Sequence, residues 1–145
     1  MSGKRGIVRR QLKGQVRQLF GFLVAGKFAD FLSGCADDLA VTVRGSTPAP
    51  MTLTKADIAD WYGSLQALSP TSLRSSVEVT RVEGNKVTVI LRHTFGRQGV
   101  DYTLEMVNLI TVRDGLLAQW SSYPLDLAEY ARAWRTHDYA TLATA

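Results

Sequence analysis

A predicted β-hairpin near the carboxyl end restricts the folds open to this chain. Residues 87–112 alternate apolar and polar side chains, and Arg113-Asp114-Gly115 leads from them into a further strand that ends at Asp126. Strand, Asp-Gly turn, strand is the strongest short-range sign of a hairpin. Since three helical segments precede the main strands, we predict an α+β fold. In this cone-shaped arrangement N-terminal helices cover a curved antiparallel sheet and enclose a hydrophobic pocket.

The predicted helices follow from apolar residues at helical spacing. One stretch covers residues 7–25 and ends at Gly26, and a short second helix covers residues 28–35. Thr54 can cap a third helix, with Asp57 favourable in its first turn. The apolar face of this third helix comprises Ile58, Trp61, Tyr62, Leu65 and Leu68. A final helix follows the last strand and carries on one face Leu127, Tyr130, Ala131 and Trp134.

The predicted strands cover residues 39–44, 73–82, 86–95, 102–112 and 116–123. Residues 45–53 contain two prolines and are predicted to form a loop. Residues 96–101 are polar and glycine-rich, which predicts a mobile loop. The whole chain, residues 1–145, is expected to form one domain with flexible tails at 1–6 and 136–145.

The charge distribution argues against a nucleic-acid partner. Six of the 17 basic residues lie in the first 17 positions, which hold no acidic residue, and the rest of the chain holds 11 basic and 13 acidic residues. A nucleic-acid-binding domain carries its basic residues across a folded face with aromatic residues among them. The basic start is therefore interpreted as the solvated side of the first helix.

Other patterns narrow the location and the chemistry. The sequence has no apolar run long enough to span a membrane and no signal-peptide core, so we expect no membrane partner and a cytoplasmic protein. The single cysteine, Cys35, excludes an internal disulfide and is expected to be buried and inert. Two histidines far apart in sequence do not form a metal cluster, and no phosphate-binding glycine loop is present. No cofactor or metal is therefore expected.

Three motifs carry a resemblance to a known family. They are Gln18-Leu19-Phe20 through Ala25-Gly26-Lys27, Cys35-Ala36-Asp37-Asp38, and the Thr111-Val112-Arg113-Asp114-Gly115 hairpin with the closing segment 120–126. Over residues 16–134 the chain resembles the nuclear transport factor 2-like superfamily, and within it the SnoaL-like group, which includes polyketide cyclases. The resemblance implies an α+β cone, a small-molecule pocket and a homodimer paired through the outer face of the sheet.

The chain departs from the ketosteroid isomerases of this superfamily. By motif alignment, their catalytic carboxylate, tyrosine and protonated aspartate fall on Val43, Phe20 and Asn108. Only the Asn108 amide could still donate a hydrogen bond to a carbonyl oxygen. This familiar isomerase activity is therefore not expected.

The chain also departs from the epoxide hydrolases of this fold. The arginine and the first aspartate of their Asp-Arg-Asp arrangement fall on Val87 and Val89, and the second aspartate falls on Ser122. The tyrosine and asparagine that position their water fall on Val41 and Val43. Valine cannot activate water or ionise. This hydrolase activity is therefore not expected either.

Strand alternation extends the set of side chains that the resemblance places in the pocket. The predicted substrate-binding residues are Val41, Val43, Trp61, Leu65, Val89, Leu91, Leu104, Met106, Trp120 and Asp126. The predicted catalytic residues are Asn108, Tyr62, Ser122 and His93. A mostly apolar cavity with few polar groups is typical of a small-molecule site. The expected ligand is therefore a hydrophobic polyketide or polyene.

Two mechanisms fit this residue set. A polyketide cyclase without a carboxylate base could fold the substrate for a pericyclic closure of the Diels–Alder type, with Asn108 polarising a carbonyl and Tyr62 or Ser122 in support. An aldol or oxa-Michael cyclisation would need a base, for which His93 or Asp126 is the candidate. A non-catalytic carrier of a hydrophobic small molecule and a protein-interaction module are the remaining hypotheses.

Each candidate residue also has a structural interpretation. Asn108 could satisfy a neighbouring polar group, and His93 could be an ordinary structural histidine. The aromatic residues Trp61, Tyr62 and Trp120 could belong to the core. Asp126 could be the N-cap of the final helix.

Overall fold

A computed structural model of the chain describes residues 2–44, 51–67, 73–97 and 99–135. The helices in this part are α1 (Ser2–Val24), α2 (Phe28–Ser33), α3 (Ile58–Ala67) and α4 (Leu127–Arg135), and a short 3₁₀ turn covers Lys55–Asp57. The strands are β1 (Cys35–Val43), β2 (Met51–Thr54), β3 (Arg74–Glu83), β4 (Lys86–Arg97), β5 (Val100–Arg113) and β6 (Leu116–Pro124). The predicted α+β class is confirmed.

The six strands form one curved, open sheet in the order β2-β1-β6-β5-β4-β3. Strands β3 to β6 are antiparallel neighbours, and β2 pairs antiparallel with β1. Strand β1 instead runs parallel to β6, with Val41 opposite Trp120 and Val43 opposite Ser122. This parallel pair joins the amino-terminal half of the chain to the last strand and brings the helices over the sheet.

The hairpin predicted at Arg113-Asp114-Gly115 is confirmed. Arg113 lies opposite Leu116, so two residues form the turn. Asp114 has φ 54° and Gly115 has φ 77°, and two positive φ values are typical of a type I′ turn. The Asp-Gly pair therefore fixes the register between β5 and β6.

The prediction of a mobile loop over residues 96–101 is wrong. Gly96 lies opposite Asp101 and Arg97 opposite Val100, so β4 and β5 continue through this segment and only residues 98 and 99 lie between the paired ends. Gly99 has φ 76°, a conformation that glycine adopts without strain. The polar, glycine-rich composition is that of a tight hairpin here.

Several predicted boundaries also differ from the structure. Helix α1 begins at Ser2, so the predicted tail over residues 1–6 is wrong, since Lys and Arg are good helix formers. The predicted loop over residues 45–53 contains the start of strand β2, which pairs with β1 after the second proline. The second helix ends at Ser33, and Cys35 opens β1. The predicted tail 136–145 and the helix end at 68–70 lie outside the described residues.

Aromatic side chains link the helices to the sheet. Phe20 of α1 meets Trp120 of β6 edge to face, with ring centroids 5.2 Å apart, and Phe31 of α2 meets both rings at 5.7 and 5.9 Å. Cys35 is buried beside them, as predicted, and burial raises the pKa of its thiol to about 11. Among the described helices, none combines the length and apolarity that a bilayer crossing requires.

Candidate active site

A narrow cavity lies where α3 and α4 meet the inner face of the sheet. The free volume of the cavity is about 10 Å³. That is room for about one water molecule. The lining residues are Trp61, Tyr62, Leu91, His93, Leu104, Met106, Asn108, Trp120, Ser122 and Tyr130. A larger ligand therefore needs the helices to move away from the sheet.

The polar centre of the cavity is a chain of three side chains. Tyr62 Oη lies 3.1 Å from His93 Nε2, and Ser75 Oγ lies 2.7 Å from His93 Nδ1. His93 is buried on β4, and Tyr62 is buried on α3, whereas Ser75 on β3 is half-buried. This series of hydrogen-bonded side chains thus runs from the apolar cavity towards the outer part of the sheet.

Burial keeps the groups of this chain uncharged. It lowers the pKa of His93 from 6.5 to about 4 and raises the pKa of Tyr62 above its ordinary value, because a charge in an apolar site loses its hydration. At neutral pH the site therefore holds a neutral imidazole and a neutral phenol.

Two hydrogen-bond patterns satisfy a neutral His93. In the first, Ser75 donates to Nδ1 and the Nε2–H of His93 donates to Tyr62, which leaves the phenol proton for a ligand. In the second, Tyr62 donates to Nε2 and the Nδ1–H donates to Ser75. Moving one proton along each link converts the first pattern into the second when Ser75 takes up a proton from water and Tyr62 gives its own proton to a ligand. Tyr62 can therefore act as a hydrogen-bond donor to a ligand, or exchange a proton with it.

Asn108 uses its amide within the protein. Its Nδ2 donates to the backbone oxygens of Val89 and Met106, each at 3.1 Å, and its Oδ1 accepts from Trp120 Nε1 at 2.7 Å. Both amide hydrogens therefore have partners, and this orientation is the one that satisfies every group in the network. Asn108 ties β4, β5 and β6 together beneath the cavity.

One polar atom of the cavity wall has no such partner. Trp61 Nε1 is buried and makes no hydrogen bond within the described part of the chain. An indole N–H can only donate, and leaving a buried donor unpaired costs about 1–3 kcal/mol. The atom lies in the same cavity wall as Tyr62, its neighbour along α3.

The structure brings together most of the predicted site residues. Leu91, Leu104, Met106, Trp120 and Ser122 line the cavity beside Trp61, Tyr62, His93 and Asn108. Val41, Val43 and Val89 are fully buried in the core but are not among the lining residues. The side chain of Leu65 lies outside the described part of the structure.

The prediction that Asp126 faces the ligand is wrong. Asp126 is exposed, and its Oδ1 accepts a hydrogen bond from the backbone N–H of Glu129 at 3.0 Å. That is the N-cap contact of α4, the alternative that the sequence left open. The cavity lining in the described part of the chain contains no Asp, Glu, Lys or Arg.

Sequence reasoning missed two residues of the site, Ser75 and Tyr130. Counting back from the paired Glu83 and Lys86 would place Ser76 opposite His93, but an irregularity between Val79 and Arg81 shifts the register by one residue. Ser75 therefore becomes the partner of His93. Tyr130 had been placed on the apolar face of the last helix, and that face could have been assigned to the cavity.

The positions that carry the familiar catalytic groups of related enzymes are packed core here. Phe20, Val43 and Val41 are fully buried, and Val87 and Val89 are buried as well. Phe20 packs against Trp120 instead of presenting a phenol. Asn108 and Ser122 are the exceptions, because they line the cavity, and the other polar groups of the site, on Tyr62 and His93, come from other positions.

Solved structures share this fold at low sequence identity. Bal32a, from a soil-derived mobile gene cassette, is 15% identical, with 88% of this chain and 98% of Bal32a covered and a TM-score of 0.75. IdmH of Streptomyces antibioticus, a proposed polyketide cyclase, is 16% identical over 84% of this chain and 97% of its own, with a TM-score of 0.68. A proposed polyketide cyclase of Xanthomonas campestris pv. campestris is 19% identical over 86% and 97%, with a TM-score of 0.63.

These identities show a common fold alone, and no curated protein sequence matches the chain. The model of the SnoaL-like domain, however, matches residues 16–120, which is more than two thirds of the chain. That segment contains α3, β4 and β5, and with them Tyr62, His93 and Asn108. The chain therefore belongs to the SnoaL-like domain family, whose nuclear transport factor 2-like fold is shared by cyclases and isomerases.

Proposed function

We propose that this protein is a cofactor-free cyclase that closes a ring in a hydrophobic polyketide intermediate. The observation that carries the proposal is the neutral Tyr62 hydroxyl, held at 3.1 Å from the buried His93 in an apolar cavity. A fixed donor in such a site polarises a carbonyl oxygen more strongly than it would in water. Tyr62 takes this role in place of Asn108, because both amide hydrogens of Asn108 have protein partners.

In the first candidate reaction, a diene and an unsaturated ketone in one chain undergo a Diels–Alder-type closure. Two carbon–carbon σ bonds form, three π bonds are replaced by one new π bond, and no atom is lost or gained. The apolar wall folds the chain so that the reacting ends meet, which is where most of the rate gain arises. Tyr62 withdraws electron density from the ketone and lowers the barrier further.

Proton-transfer cyclisation is the second candidate, and the Ser75–His93–Tyr62 chain favours it. In an oxa-Michael closure a substrate hydroxyl oxygen adds to an enone, and Tyr62 takes the hydroxyl proton while it passes its own proton to His93 Nε2. The α-carbon of the resulting enolate then takes a proton back. Ser75 is half-buried, so this chain can exchange protons with water at its outer end. A histidine with a pKa of about 4 is a weak base, which makes this the slower route at neutral pH.

A linear triene that carries an α,β-unsaturated ketone tests the proposal. The expected result is conversion of this compound to an isomer of equal mass that continues beyond one turnover. Liquid chromatography with mass spectrometry monitors the conversion. Tyr62→Phe should lower kcat about 100-fold, as expected for the loss of one carbonyl donor. Tyr123→Phe is the matched control, since this tyrosine contacts Arg44 and is not in the cavity lining.

Running the same reaction in heavy water separates the two mechanisms. A pericyclic closure incorporates no deuterium, whereas the oxa-Michael route places one deuterium on carbon. Binding without turnover would replace the cyclase proposal with that of a carrier protein. Equal activity of the wild type and Tyr62→Phe would remove Tyr62 from the mechanism.

We also propose that two copies pair through the outer face of the sheet, as the family resemblance implies. Leu109 is 47% exposed on this face and lies two residues along β5 from half-buried Val107, which is opposite half-buried Ile90 of β4. Light scattering should give twice the chain mass of 16.0 kDa, and Leu109→Glu should give a monomer. A monomeric wild type at micromolar concentration would contradict this pairing.

A further inference from the structure

The unpaired indole N–H of Trp61 indicates what the cavity is built to bind. Almost every buried donor in a native protein has a hydrogen-bond partner, so an exception at a cavity wall points to an acceptor on a ligand. Trp61 Nε1 is buried and has no partner within the described residues, while the indole itself lines the cavity. By contrast, the other cavity indole, that of Trp120, is satisfied by Asn108.

The rings of Trp61 and Tyr62 lie next to each other. They are consecutive residues of α3, their ring centroids are 5.6 Å apart, and their planes are inclined at 65°. Because both residues line the same cavity, a ligand seated against α3 contacts both of the side chains that carry these donors. The rest of the wall is mostly apolar, so the oxygen-bearing part of the ligand belongs at this end.

The charges around the cavity restrict the ligand further. The lining contains no Lys or Arg within the described part of the chain, and His93 is buried and neutral at physiological pH. A free carboxylate would lose its hydration there without gaining a counter-charge. Two neutral donors instead match an uncharged carbonyl oxygen, as in a ketone, an ester or a thioester.

We propose that Trp61 is a specificity-determining residue whose N–H selects uncharged carbonyl compounds over hydrocarbons and free acids. The inference rests on the proposed function, because it names the substrate class of the same site. A polyketide would then reach the protein as an ester, thioester, lactone or ketone. A hydrolysis that frees the terminal acid must therefore come after this step.

Binding of three naphthalenes of the same shape tests the proposal without any turnover. 2-Acetonaphthone carries a ketone, 2-isopropenylnaphthalene replaces its oxygen by a methylene group, and 2-naphthoate carries a carboxylate. By titration calorimetry, wild type should bind the ketone at least about tenfold more tightly than either of the others. Trp61→Phe should lower the ketone affinity about tenfold and change the alkene affinity less than about twofold, because the aromatic ring is kept.

A second measurement follows ligand binding in the wild-type protein and uses the variant only to assign one signal. With ¹⁵N-labelled tryptophan, the indole N–H signal that is absent from Trp61→Phe belongs to Trp61. This signal should move downfield on addition of 2-acetonaphthone but not of 2-isopropenylnaphthalene. The Trp120 signal is the internal reference, since its N–H already donates to Asn108 at 2.7 Å.

Equal affinities for the ketone and the alkene would overturn the inference. A Trp61 indole N–H signal whose chemical shift does not change on addition of the ketone would overturn it as well. Preferred binding of 2-naphthoate would overturn the claim that the substrate is uncharged. The proposed function fails in a different way, by absence of ring closure with any linear polyene ketone. If the protein binds the ketone selectively but catalyses no ring closure, the proposed binding site is upheld and the function becomes that of a carrier protein.

Discussion

His93 should make the folded protein sensitive to acid by a predictable amount. Burial lowers its pKa to about 4 in the folded state, whereas the unfolded chain has the ordinary value of 6.5. Between these values the unfolded state binds a proton that the folded state rejects. His93 therefore contributes stability that is present above about pH 6.5 and is lost as the pH falls towards 4.

The size of this contribution follows from the two pKa values. Their difference corresponds to about 3 kcal/mol when the loss is complete, and about 2.5 kcal/mol of it should disappear between about pH 7.5 and about pH 4.5. For a domain of this size that is a large share of the free energy of unfolding. Each carboxylate that titrates in the same range adds its own smaller effect, so the wild type alone is not a sufficient test.

Urea unfolding of the wild type and His93→Gln, followed by tryptophan fluorescence at both pH values, isolates the histidine. Glutamine remains neutral, and both proteins carry the same carboxylates and His137, so these contributions cancel in the difference. The wild type should lose about 2.5 kcal/mol more than the variant on acidification. Equal losses would mean that His93 titrates normally, and would refute a buried neutral imidazole at the centre of the site.

Two further changes probe the surroundings of the site. Asn108→Ala should lower the free energy of unfolding by about 3 kcal/mol in chemical denaturation, because it leaves the Trp120 N–H buried without its acceptor. If Asn108→Leu lowers the free energy of unfolding by less than about 1 kcal/mol, this network adds little to stability. Cys35 should react with Ellman's reagent far more slowly in the native protein than in guanidinium, since its thiol is buried with a raised pKa, and rapid native labelling would contradict that environment.

Sequence patterns predicted the framework because its signals are local. The Asp114-Gly115 turn needs two positive φ values and therefore defines its own hairpin. The helical spacing that put Trp61 and Tyr62 on one face likewise depends on a few adjacent residues. These signals were enough to predict nine of the ten cavity-lining residues as site residues, and they placed the tenth, Tyr130, on a helix face.

Features set by register and by long-range contacts escaped prediction. The partner of His93 is Ser75 rather than Ser76 because of one irregularity in β3, and the residue types in this strand do not predict that irregularity. The role of Asn108 depends on where the Val89 and Met106 oxygens lie in the folded sheet. Strand β2 forms because its backbone pairs with the edge of β1. The alternating pattern of its four residues is too short to predict a strand so close to two prolines.

The parallel pairing of β1 with β6 has a consequence for the order in which the parts of the protein fold. Val41 and Trp120 are neighbours in the sheet although about eighty positions separate them in the chain, whereas β3 to β6 are joined by short hairpins. Contacts this distant in sequence form slowly, so we expect the hairpins to assemble before the amino-terminal half docks on them. Tyr62 lies in that half and His93 lies in the hairpins. During synthesis, we therefore expect the phenol and the imidazole to meet after the last strand has left the ribosome.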